Sequence, residues 1–372
     1  MNFNLTELLR YQIALSLIKG IGPKLARNLV AYVGDVKEVF KEKESTLAKI
    51  PGIGPVVARS IKSSDVMARA EEEIDFIQRH QIKAVFYTSD EYPKRLSYCE
   101  DAPLLLYIKG DNYLDGKKVL GVVGTRKASD DAKINCEKLI GDLAIQFPDL
   151  VIISGLAYGV DICAHQAALK NNLNTYGVLA HGLDRIYPSL HRNTAAQMVE
   201  QGGLITEFVT QTNPDKPNFV KRNRIVAGLV DALVVVESGV KGGAVITARI
   251  ASSYNRDVLA YPGSVSNELA KGCNYLIKSN IGGLIEDAQD LMNSLGWEGD
   301  KNHNLVQRII FKEFNNSEEE VLYDILYKNK EMTANELSLE SNFPVSKVSA
   351  SMLSLEFAGL IKSLPGNAFR II

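Results

Sequence analysis

LVIISGLAYGVDICAHQAAL, residues 150 to 169, sets a short apolar run before a glycine-bounded turn and a helical pattern. A strand with no polar alternation is expected to be buried on both faces, and a helix that follows it through a short turn starts a crossover to a parallel neighbour. The alternation recurs from about 117 to 295. KKVLGVV (117–123), LVIIS (150–154), TYGVLA (175–180), GLITE (203–207), ALVVVE (232–237) and VLAYP (258–262) read as strands separated by helical spacers. Right-handed crossovers between them predict a doubly wound, mostly parallel α/β sheet.

Two smaller domains flank it. IKGIGPKLAR (18–27) recurs as IPGIGPVVAR (50–59), with seven of ten residues identical at an offset of 32. Helix, glycine hairpin, helix is the reading of each copy, with Pro at the start of the second helix. The pattern resembles the helix-hairpin-helix motif of DNA-binding proteins, with Lys24, Arg27, Arg59 and Lys62 as candidate phosphate contacts. Residues 1–75 carry eleven basic and ten acidic side chains, so a purely structural role competes with phosphate binding. At the other end, three helical patterns and a strand, Pro-Gly turn, strand resemble a winged helix. Residues 318–372 hold eight acidic and five basic residues, a balance that favours protein contact or packing over DNA. The expected organisation is an all-α helix-hairpin-helix (SAM-like) domain at 1–75, an extended Rossmann-like domain at 76–297, a linker at 298–317 and a winged helix at 318–372.

Composition bounds the function. Apolar (46%) and charged (23%) fractions are those of an ordinary folded protein, and 42 basic against 44 acidic residues leave a net charge of -2. The molecule as a whole is no polycation, so nucleic-acid binding would need a local patch. No membrane-length apolar stretch or secretory leader is read, and a cytoplasmic protein is expected. Cys99, Cys136, Cys163 and Cys273 are too scattered for a metal pair or a disulfide framework and read as buried thiols.

Ligands of open α/β sheets bind beyond the carboxyl ends of the strands, which points to five loops. GTRKAS (124–129) offers Gly124, Thr125, Arg126 and Lys127, with Ser129 as a helix cap; it lacks the GxGxxG spacing of a dinucleotide site. In SGLAYG, Gly155 and Gly159 would let a phosphate or base approach the main chain, or serve only a turn. Asp161 and His165, four apart, are an acid–base pair or metal ligands on one reading and a helix cap and a packed histidine on the other. KPNFVKRNRIVAGL (216–229) gathers Lys216, Lys221, Arg222 and Arg224 around Phe219 and Asn223, which suits single-stranded nucleic acid or a solvated basic face. GGAVITARIAS (242–252) and YPGSVSNELAKGCNYLI (261–277) each place glycines before a helix. Converging on one sheet edge, the five loops would make a polyanion pocket.

VVGTRKAS, SGLAYGVDICAHQAAL, HGLDRIYPSLH, FVKRNRIVAGLVDALVVVES, ITARIAS and YPGSVSNELAKGCNYLI, in this order, resemble the signature blocks of the bacterial DNA-processing protein A family (DprA, also called Smf). EYPKRLSYCEDAPLLLYIKGD (91–111) resembles the segment before its sheet. The resemblance implies a non-enzymatic mediator of natural transformation that binds and protects incoming single-stranded DNA and helps load RecA recombinase. It implies a homodimer formed through the Rossmann-like domain, with RecA and single-strand-binding protein as protein partners and neither cofactor nor metal. The implied DNA-contacting residues are Gly124, Thr125, Arg126, Lys127, Ser129, Gly155, Tyr158, Gly159, Lys221, Arg222, Asn223, Arg224 and Thr247. The chain departs from the pattern at Tyr158, where Arg is expected and a tyrosine could stack on a base, and at GGAVITA, where the family has SGSLITA. A nucleotide-binding or nucleotide-hydrolysing enzyme of the same superfamily, built on Glu237 with Gly242 and Gly243, is the competing expectation, and an adaptor whose two end domains bind proteins is a third.

Overall fold

The computed structural model describes residues 3–63, 65–111, 114–298, 314, 316–364 and 367–371. The chain divides into two compact units, Met1–Asn302 and His303–Ile372. The first opens with helices α1 (Phe3–Leu17), α2 (Pro23–Val33), α3 (Val36–Lys41), α4 (Glu44–Leu47), α5 (Gly54–Ser63) and α6 (Val66–Arg79). The sequence repeat is a conformational repeat: Gly20 and Gly52 take φ of +85° and +84°, a left-handed turn that glycine adopts without a Cβ penalty. Pro23 and Pro55 then fall in the first turn of α2 and α5, where the missing N–H would have had no helical partner. Ile13, Leu29, Leu47, Ile53 and Ile77 close one core together with Phe86, Leu105 and Tyr107, so the helical repeat is packed onto an edge of the sheet.

That sheet has nine strands among the described residues: β1 (Lys83–Phe86), β2 (Leu105–Gly110), β3 (Val119–Val123), β4 (Val151–Ser154), β5 (Thr175–Val178), β6 (Gly202–Thr206), β7 (Ala232–Val235), β8 (Asp257–Ala260) and β9 (Gly283–Leu284). The order is β1-β2-β6-β5-β4-β3-β7-β8-β9. Every pair from β6 to β9 is parallel, and β2 and β1 extend the sheet antiparallel at one edge. The expected strands are β3 to β8; β1, β2 and β9 had no strand expectation, β9 being only two residues long.

The helices of this unit are α7 (Lys94–Ser97), α8 (Asp130–Gln146), α9 (Val160–Lys170), α10 (Arg192–Glu200), α11 (Lys216–Leu229), α12 (Gly243–Ser253), α13 (Lys271–Lys278) and α14 (Ala288–Leu295). Val119 and Val123 of β3 pack with Ile225 and Leu229 of α11 and Ala248 of α12. Leu120 and Val122 pack on the other face with Ile140 of α8, Ala164 of α9 and Leu291 of α14. Both faces are therefore covered, which is why the strands are apolar at consecutive positions. Cys99, Cys136, Cys163 and Cys273 are buried free thiols. The chain lays β3 to β6 in one direction and then returns to set β7 beside β3. Where strand order reverses, the loops leaving adjacent strands part to opposite faces and leave a crevice.

The second unit is a winged helix: α15 (Ser317–Asn329), β10 (Glu331–Thr333), α16 (Ala334–Ser341), α17 (Val345–Phe357), β11 (Ile361–Leu364) and β12 (Ala368–Ile371). Its core is its own, centred on Leu322, Leu326, Leu337, Val348, Met352 and Ile361. Thr333 and Glu336 form a capping box that starts α16. Of the expected linker at 298–317, residues 299–313 and 315 lie outside the described residues, as does the Pro365-Gly366 turn. Among the described residues no helix is long and apolar enough to cross a membrane.

Candidate nucleic-acid interface

An open cleft of about 630 Å³ lies at the β3–β7 switch point. One wall is the loop leaving β3. Gly124 permits its turn: a Cβ there would stand 2.3 Å from a Val160 methyl and 3.0 Å from the Glu237 carbonyl. Thr125 is held from both sides, its N–H donating to the Glu237 carbonyl at 2.7 Å and its carbonyl accepting from the Val160 N–H at 3.2 Å. From this pinned backbone the exposed Arg126 reaches over the Phe219 ring, with Cζ 4.8 Å from the centroid.

Helix α11 supplies the facing wall. Phe219, Arg222, Asn223 and Val226 line the cleft, the i, i+3, i+4, i+7 stripe of one helix face. Arg222 is only 4% exposed. Its guanidinium lies against Gly155, where a Cβ would come within 1.4 Å of Nη1, and its Nε has no hydrogen-bond partner among the described residues. Burial lowers the Arg222 pKa, the carboxylate of Asp161 raises it and the charge of Arg126 lowers it again. Asp161 is in turn pushed above the usual aspartate value by burial and drawn back by Arg222. Among the described residues neither Arg126 nor Arg222 has an ion pair within 4.0 Å. Two guanidinium groups that feel each other's charge thus meet in one cleft, and Lys216 and Lys241 also line it. Gly242 and Gly243 bring the first turn of α12 to the floor, where helix N–H groups favour an anion.

The sequence profile described as DNA recombination-mediator protein A matches residues 83–296, more than half of the chain and all of this cleft. The chain belongs to the DNA-processing protein A family. The flanking segments match as well: residues 13–64 to the SAM-like helix-hairpin-helix tandem and 316–367 to the DprA winged helix domain. Protein Smf of Synechocystis sp. is 33% identical over 295 residues, covering 77% of this chain and 72% of that protein. The X-ray structure of DprA from Streptococcus pneumoniae aligns with a TM-score of 0.67 at 32% identity, over 76% of this chain and 97% of the other. DprA from Helicobacter pylori, whose structure is described as revealing a unique single-stranded DNA binding mode, aligns with a TM-score of 0.53 at 28% identity, over 59% of this chain and 98% of the other.

Of the residues that the resemblance to the DNA-processing protein A family assigns to DNA, Gly124, Thr125, Arg126, Arg222, Asn223 and Thr247 line the cleft. The others are placed differently. Lys127 is exposed beside it, its N–H turned back to Thr125 Oγ1 at 3.2 Å. Ser129 caps α8, accepting from the Ala132 N–H at 3.1 Å while its hydroxyl donates to Glu237 at 2.9 Å. At Gly155 and Gly159 the missing side chain makes room for the protein itself. Arg222 fills the space at Gly155, and a Cβ on Gly159 (φ +76°) would stand 2.2 Å from the Thr125 carbonyl. Lys221 is exposed and outside the cleft lining, and Arg224 is paired with Glu207 at 2.5 Å. Successive helix residues point about 100° apart, and the KRNR run divides accordingly, Arg222 and Asn223 lining the cleft and Lys221 and Arg224 lying outside its lining. Tyr158 is 43% exposed and lies outside the lining, edge-on to His191.

Four of the five loops reach the cleft. The fifth braces the turn that leads from β7 to the fourth, through a Gly272 N–H donated to the Ser238 carbonyl at 2.7 Å. Asp161 does not cap α9 as expected: its carboxylate accepts from the Ala157 N–H of the preceding turn at 3.4 Å and faces Arg222. His165 is a packed histidine, fully buried, 2.7 Å from Thr175 Oγ1 and pushed down to about 3 by burial. Both carboxylate oxygens of Glu237 accept hydrogen bonds, from the N–H and hydroxyl of Ser129. The helix-hairpin-helix cations are engaged within the unit. Lys24 pairs with Glu100, Arg27 donates to the Ala102 carbonyl, Lys62 donates to the Phe40 carbonyl and Arg59 lies by Glu44. Lys347 of the winged helix pairs with Glu318 at 2.5 Å. The cleft also contains Lys241 and Tyr187, which no sequence expectation named; a lysine just before the GG pair is the one signal that pointed there.

Proposed function

We propose that this member of the DNA-processing protein A family binds single-stranded DNA in the β3–β7 cleft, with Arg126 and Arg222 on phosphate and a base stacked at Phe219. The observation that carries the reading is the convergence of these two guanidinium groups without an ion pair of their own, at the carboxyl ends of the strands where order reverses. Guanidinium forks bind phosphate oxygens bidentately, and an aromatic ring accepts any base, a combination suited to sequence-tolerant single-strand binding. Asn223 and Thr247 complete the walls.

In this reading the protein performs no chemistry of its own. Glu237, the acid that a nucleotide hydrolase would need free, is engaged at the start of α8. Protection of the strand, help in loading RecA and dimerisation through the sheet domain complete the proposal, on the strength of the family membership. Titration of labelled oligonucleotides at several salt concentrations tests the core of it. Neutralising two phosphates lowers log K by about 1.4 per log unit of salt. Equal affinity for duplex and single strand, or a flat salt response, would refute the reading. Release of base or phosphate from a panel of nucleoside monophosphates would favour the enzymatic alternative.

A further inference from the structure

The loop SGLAYG keeps one aromatic ring at the surface beside the cleft. Tyr158 is 43% exposed, and its hydroxyl has no hydrogen-bond partner among the described residues. Its ring is nonetheless held in place, meeting the buried His191 at 5.1 Å and 73°. His191 Nδ1 lies 2.9 Å from the carbonyl of Leu156, a buried leucine whose φ of +58° is left-handed. Left-handed backbone is costly for a leucine and persists where surrounding contacts over-determine it. The brace therefore extends from a buried imidazole through a strained turn to an exposed ring.

Position gives that ring a use. Gly159, the next residue, packs on the backbone of Thr125 and Arg126, with a built Cβ falling 2.7 Å from the Arg126 carbonyl carbon. Arg126 is thus flanked by Phe219 through its guanidinium and by Gly159, the residue after Tyr158, through its backbone. Phe219 has its own edge-on partner in Tyr187, at 6.1 Å. The five residues 187–191 thereby join the two ring pairs, Phe219–Tyr187 and His191–Tyr158.

We propose that Tyr158 is a second base-stacking platform of this site, receiving a base next to the one carried by Phe219, with the intervening phosphate at Arg126. The inference rests on the single-strand reading above and deepens it. A phenol neutralises no phosphate, whereas a pre-oriented π-face loses little conformational freedom when a base settles on it.

The test compares full-length parent, Tyr158→Ala, Tyr158→Phe and Arg126→Ala by fluorescence anisotropy, on deoxythymidine oligonucleotides and on matched strands carrying abasic sites. Tyr158→Ala is expected to weaken binding about five- to tenfold with an unchanged salt slope, and Tyr158→Phe to stay within about twofold of the parent. On abasic strands the Tyr158→Ala penalty is expected to vanish. Parent-like binding by Tyr158→Ala, an equal loss in Tyr158→Phe, or the same penalty on abasic strands each overturns the platform. If Arg126→Ala still weakens binding in a salt-dependent way, only the platform has failed; if neither variant matters, the reading of the cleft has failed with it.

Discussion

Gly155 shows how a residue chosen for a ligand on sequence grounds is required by the protein's own interior. Its missing side chain is the space that Arg222 occupies, so Gly155→Ala must displace the guanidinium from the cleft. Single-strand affinity is expected to drop at least about tenfold, the scale of one charge-assisted contact. Anisotropy reads the loss, and a parent-like thermal melt would separate it from unfolding. His165 makes a pH prediction. Its folded pKa is depressed to about 3 by burial, while the unfolded chain takes up the proton near 6.5. The stability contribution is complete above pH 6.5 and is lost as pH falls towards 3, at up to about 1.4 kcal/mol per pH unit. Urea midpoints measured between pH 7 and 4 should fall more steeply for the parent than for His165→Gln. Parallel curves would show that other groups control the acid limb.

At the scale of the element, α11 divides a run of basic residues by angle. Phe219, Arg222 and Asn223 turn to the cleft, while Arg224 reaches back to Glu207, both partners being less than one-sixth exposed at 13% and 15%. Opposite phenotypes should follow from two arginine deletions. Removing the Arg224 partner leaves a buried carboxylate, and Arg224→Ala is expected to lose about 3 kcal/mol of stability with an unchanged salt slope of DNA binding. Arg126→Ala is expected to melt like the parent and to reduce the salt slope by about 0.7. A salt-slope change in Arg224→Ala would place that residue on phosphate after all. The basic cluster itself was legible in sequence; which of its members reach the cleft depended on the phase of α11 against the sheet, which its weakly amphipathic sequence does not reveal.

The whole molecule consists of two units with separate cores, and the cleft is built entirely within the first. Truncation before residue 303 should leave single-strand affinity within about threefold and the melting of the first unit unchanged, as measured by anisotropy and calorimetry. A tenfold loss would move DNA contacts to the winged helix, contrary to its acidic balance and the Lys347–Glu318 pair. The sequence alone determined the architecture, because buried parallel strands, glycine hairpins and helix caps leave periodic or punctuating patterns over a few residues. The internal repeat of 18–27 and 50–59 and the strands β3 to β8 are of this kind. Only the tertiary structure decided that β7 returns beside β3, that Gly155 shelters Arg222, and that the helix-hairpin-helix cations are engaged within the first unit. Those outcomes depend on residues tens to more than one hundred positions apart, and local propensity carries no information about which distant charge will find a partner and which will be left facing the cleft.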